Sequence, residues 1–135
     1  MNTKPILSLS DVQQILEAAR IEAEKNNWPV TIAVVDDGGH ALGLIRLDGA
    51  APLTPYIATE KARTSALGRR ETKSFEEMIN GGRTAFLSAP IQGALEGGVP
   101  VIVDGQVVGA VGVSGVKSDQ DAQIARAGIE ALGIK

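Results

Sequence analysis

Two apolar runs joined by a tight polar turn restrict the fold more than any other feature of the chain. Val30 to Asp36 and Ala41 to Leu47 flank the sequence Asp36-Asp37-Gly38-Gly39-His40, which predicts a β-hairpin with its strands antiparallel. The first run is almost continuously apolar, so both of its faces need cover. That places it inside a sheet with helices packed on it. Aromatic residues make up only 3% of the chain against 44% hydrophobic residues overall, so Ala, Val, Ile and Leu must build the core. Such a core depends on close backbone approach, which the 16 glycines permit.

A second hairpin is predicted from Val99–Val103 and Gln106–Val113 around Asp104-Gly105. Between and around the hairpins the spacing is helical. Ser10 to Gln13 reads as a capping box opening a helix whose buried stripe is Val12, Ile15, Leu16, Ala19 and Ala23, ended by Asn26-Asn27-Trp28-Pro29. Thr54-Pro55 reads as N-cap and first helical position of a helix over Tyr56–Leu67, with small residues Ala58, Ala62, Ser65 and Ala66 on one face. A shorter helix is predicted from Ser74, and a last one over Ser118–Leu132 ended by Gly133. Asn80 to Gly98, interrupted by Gly and Pro, reads as loop. The order predicts one α+β domain over residues 1–135, a four-stranded antiparallel sheet with helices against it.

Composition excludes some functions. With a net charge of -3 and few aromatic rings, the chain offers neither a basic field for phosphates nor a base-stacking platform, so no nucleic-acid partner is expected. No apolar stretch reaches the roughly 20 residues of a membrane span, and no signal-peptide pattern opens the chain. The chain has no cysteine, which removes disulfides, thiolate metal sites and a cysteine nucleophile. A cytoplasmic protein is expected.

Candidate chemistry is spread along the chain. His40, the sole histidine, has two readings: a hydrogen-bonded turn residue, or a ligand and proton carrier. Asp36, Asp37 and Asp48 are turn formers or a carboxylate cluster. Arg46 either clamps a ligand carboxylate or pairs locally with Asp48. Glu60, Lys61, Arg63 and Thr64 form a polar helix face that either meets solvent or reaches into a cleft. Gly109 to Gly115, with Lys117, Ser118 and a helix beyond, has the outline of an anion site built from backbone N–H groups, or simply a glycine-rich strand.

Ile32-Ala-Val-Val-Asp-Asp-Gly-Gly-His40, Arg46-Leu-Asp-Gly-Ala50, Lys61-Ala62 with Thr64, Gly97-Gly-Val-Pro100 and Gly109-Ala-Val-Gly-Val-Ser-Gly115 with Asp119 or Asp121 beyond occur in an order and spacing that resemble the GlcG/HbpS-like family over nearly the whole chain. The resemblance implies α/β/α layers of profilin-like topology with a mainly antiparallel five-stranded sheet. A fifth strand would fall within Arg83–Pro90 or in the long Gln106–Ser114 segment. It also implies homo-oligomers, often tetramers or octamers, and haem or corrinoid binding in some members. His40, Arg46, Asp48, Lys61, Thr64, Ser114 and Gly115 fall on the recurrent motifs and are the expected ligand-binding residues.

The leading expectation is a small-molecule binding or accessory protein that takes haem, another tetrapyrrole or a small organic acid. The alternative is an enzyme acting on a small organic acid, such as one of glycolate or diol use, with Lys61, His40 or Asp36 moving protons. That alternative requires Lys61, Arg46 and His40 to converge. A structural subunit of a larger assembly is a third reading.

Overall fold

The computed structural model describes residues 1–134. Its elements run α1 (Leu9–Lys25), β1 (Thr31–Asp36), β2 (Ala41–Arg46), α2 (Thr54–Gly68), α3 (Thr72–Asn80), a 3-10 helix (Thr84–Ser88), β3 (Gly98–Val103), β4 (Gln106–Ser114) and α4 (Ser118–Glu130). The sheet order is β2-β1-β4-β3, and every neighbouring pair is antiparallel. The central pair is β1 and β4, as the apolar composition of β1 requires.

Alternation along β1 divides the core in two. Ile32 and Val34, with Val111 and Val113 of β4, pack against Val12, Ile15 and Ala19 of α1 and Ile124 and Ala125 of α4. Ala33, Val35 and Ala110 face the other way, against Ala58, Ala62 and Ala66 of α2. The second layer is made only of small side chains, so α2 rests almost on the sheet backbone. A methyl group on Gly112 would fall 2.1 Å from the Ala58 carbonyl oxygen.

Several expected boundaries move. The capping box lies two residues earlier than Ser10/Gln13: Ser8 accepts from Asp11 N at 3.1 Å and its own N–H donates to Asp11 Oδ2 at 2.8 Å. Both serines have a side-chain acceptor three residues on, and the acidic one satisfies the N-cap amide. Thr54 is the first residue of α2 rather than its cap, because its hydroxyl is already used by Ala51 O and by Thr31. Likewise α3 starts at Thr72, not Ser74, with the Thr72 hydroxyl accepting from Gly98 N at 2.8 Å. The last helix stops at Glu130, two residues short of Leu132.

The expected fifth strand is absent among the described residues. Gln106–Ser114 stays one unbroken strand. Residues 84–88, where the other candidate lay, wind into the 3-10 helix, and Phe86 stacks on Phe75 with ring centroids 5.1 Å apart. That ring contact holds the segment against α3 instead of the sheet edge.

Candidate functional site

The β1–β2 turn is braced from three sides. The Asp36 carboxylate accepts from Gly38 N at 2.9 Å and His40 N at 3.0 Å, and its Oδ1 lies 3.0 Å from His40 Nδ1. Burial pulls the Asp36 carboxyl upward, yet those backbone and imidazole hydrogen bonds outweigh it and hold the group below its ordinary value. Asp37 pairs with Lys4, which lowers its carboxyl too. Arg69, left-handed at the end of α2 with φ 61, donates to Asp37 O at 2.7 Å and Ala66 O at 2.9 Å. Gly39 lies on the Arg63 side chain, where a methyl group would come 2.8 Å from Cγ. The His40 side chain is 79% exposed on this turn, with Nδ1 held by Asp36 and Nε2 without a partner among the described residues.

Arg46 lies at the far end of β2, roughly 20 Å along the strand from His40. Its Nε and Nη2 both donate to Ala50 O, at 3.1 and 2.7 Å, so the local pair with Asp48 does not form. Arg46 and Asp48 instead line an open cleft of about 590 Å³ with Trp28 and Glu24.

Lys61 faces inward and is 3% exposed. Its Nζ donates to Val113 O at 2.9 Å and Asp121 Oδ2 at 3.0 Å, fastening α2 to β4 and α4. The other Asp121 oxygen accepts from Val116 N at 3.1 Å. Burial pushes the Asp121 carboxyl up from its ordinary value, against the pull of Lys61. The expected anion site after β4 is therefore filled by the chain's own carboxylate. Ser114 is buried and pairs in register with Thr31, while Gly115, at φ 149, gives close approach to Pro29 O. Thr64 is buried as well, accepting from Gly93 N at 3.0 Å.

Thus the candidates separate into three places: the His40 turn, the Arg46/Asp48 cleft and the buried Lys61 clasp. Lys61, Arg46 and His40 share no cleft, and the acid–base arrangement the enzymatic alternative required is not formed. No group of three or more His, Cys, Asp or Glu side chains able to hold a metal ion occurs among the described residues. No helix of the described residues is long and apolar enough to cross a membrane. From sequence Asp121 stands only as one of two aspartates, with Asp119, beyond the Gly109–Gly115 motif, and has no assigned role. Its position in the first turn of α4, where a carboxylate meets free N–H groups, was the available signal.

The antiparallel sheet held between two helical layers makes this a mixed α+β domain, with the histidine turn at its surface and the Lys61–Asp121 pair in its interior. The family model described as "Haem degrading protein HbpS-like" matches residues 7–130, and the chain belongs to that family. It is 63% identical over 114 residues to Protein GlcG of Escherichia coli K12, covering 84% of this chain and 85% of that protein. Among solved structures it is similar to a double mutant of Streptomyces reticuli HbpS, with a TM-score of 0.88 and 34% identity over 98% of this chain and 91% of the other. It is also similar to a PduOC:heme complex, with a TM-score of 0.87 and 26% identity over 97% and 98% of the two chains.

Proposed function

We propose that the protein is a cytoplasmic, homo-oligomeric small-molecule binding or accessory protein whose ligand is haem or a related tetrapyrrole, with His40 as the axial donor. The observation that carries this reading is the His40–Asp36 pair. A metal-bound imidazole ordinarily has its second nitrogen held by a carboxylate or carbonyl, which fixes the tautomer and aims the ligating nitrogen. Here Asp36 holds Nδ1 and leaves the exposed Nε2 as donor. The turn carrying the imidazole is already rigid, so little ordering is left for binding to supply. Exposed Leu42, two residues along β2 from His40, offers apolar surface beside it. The matched family's description names haem, as does that of the PduOC neighbour, and both support the choice of ligand.

Titration with haemin tests it. A saturable Soret shift at one equivalent per chain is expected, lost in His40→Ala and weakened in Asp36→Asn. A wild-type shift that never saturates, or one that His40→Ala leaves untouched, would overturn the assignment.

A further inference from the structure

We propose that the cleft between the N-terminal arm, the end of α2 and the β3–β4 turn binds a small monocarboxylate with a short alkyl chain, anchored by Arg69. The cleft has a volume of about 410 Å³ and is lined by Lys4, Arg69, Ile102, Gly105, Gln106 and Val107, with no carboxylate on its wall. The clefts lined by Arg46, by Phe86, by Arg63 and by Ile21 each carry at least one. In a chain of net charge -3, this cleft is the one whose wall favours an anion.

Arg69 is held in place before a ligand arrives. Its backbone is left-handed, with φ 61, at the residue that caps α2, where glycine is the usual choice. Nη1 donates to Asp37 O at 2.7 Å and to Ala66 O at 2.9 Å, which uses both hydrogens of that nitrogen. Nε and Nη2 have no partner among the described residues. They form the edge of the guanidinium that takes a carboxylate through two parallel hydrogen bonds. Two carbonyl contacts on the opposite nitrogen fix the plane of that fork, so little ordering is left for binding to supply.

The surroundings decide the class of ligand. Lys4 pairs with Asp37, so those two charges offset each other and the Arg69 guanidinium supplies the net positive charge. A cation would meet that charge with no carboxylate on the wall to receive it. Ile102 and Val107 are cross-strand partners and share one face of the sheet, and Ile102 is 43% exposed. An alkyl chain extending from the fork would cover that apolar surface, whereas an inorganic oxyanion would leave it in water. The site does not rest on the haem reading.

The test is a titration of the full chain with butyrate at constant ionic strength, followed by backbone-amide NMR, with butyramide and inorganic phosphate in parallel. Saturable shifts at Asp37, Arg69 and residues 102–107 are expected for butyrate, weakened tenfold or more in Arg69→Gln. Should the glutamine variant fail to fold, Arg69→Gly suits the left-handed backbone without strain and is expected to lose the binding as well. Equal affinity for butyramide would overturn the proposal, since it has the shape without the charge. Equal affinity for phosphate would overturn it too, reducing the site to a surface cation that any anion meets. So would a wild type with no saturable shift, or an Arg69→Gly variant that binds butyrate as the wild type does.

Discussion

At the scale of single residues, the Lys61–Asp121 pair fastens α2 to β4 and α4 while burying two charges. Both side chains are almost fully buried, and the raised Asp121 carboxyl shows desolvation exceeding the attraction to Lys61. Lys61→Met alone leaves a carboxylate uncompensated in the interior and is expected to cost about 3–5 kcal/mol in denaturant unfolding. The double variant Lys61→Met with Asp121→Leu should recover most of that loss. A double variant no more stable than the single one would show that the ion pair itself stabilises the fold.

Asp36 and Asp121 also act oppositely with pH. Asp36 is lowered in the folded state, so its stabilising contribution is present above its ordinary value of 3.8 and fades as pH falls through the lowered one. Asp121 is raised, so its contribution is most favourable below 3.8 and diminishes as pH rises through the raised value. Urea melts across the acid range are expected to show a shallower acid loss in Asp36→Asn. An unchanged acid slope would remove Asp36 from the account.

At the scale of elements, the packing of α2 on the sheet depends on glycine for space, whereas the β3–β4 turn depends on glycine for conformation. Gly112→Ala places a methyl group 2.1 Å from Ala58 O, and Gly98 meets Lys61 O at 2.4 Å in the same way. Because the obstacle is backbone, α2 must lift, and a loss of about 3 kcal/mol or more is expected. Gly105, at φ 75, has nothing within 4 Å of an added methyl, so Gly105→Ala carries strain alone, about 1 kcal/mol. Thermal melts of the two variants separate these effects. Equal losses would mean that α2 adjusts more freely than its contacts suggest.

For the whole molecule, the sheet ends laterally in β2 and β3, and β2 leaves one edge unpaired with Leu42 and Leu44 exposed on it. An open strand edge with apolar side chains invites another chain, which supports the proposed homo-oligomer. Sedimentation velocity is expected to show a tetramer or octamer, and Leu44→Lys to shift it toward smaller species. A monomeric wild type would overturn the assembly.

Periodicity and turn chemistry were enough to locate both hairpins, α1, α2 and α4, and to place β1 in the interior, because these features depend on neighbours along the chain. The Asp36–His40 turn was legible for the same reason: its hydrogen bonds span four residues or fewer. Other features needed the folded chain. Nothing local could show that Lys61 meets Asp121, 60 positions away, or that Thr64 turns inward to accept from Gly93, 29 positions on. The segment from Asn80 to Gly98 resisted reading because Phe86 takes its place from a ring contact with Phe75. Sequence thus determined the elements and the rigid histidine turn, whose energies are local. Tertiary structure decided which charges are buried, which face solvent and which stand apart, because those outcomes depend on residues that only folding brings together.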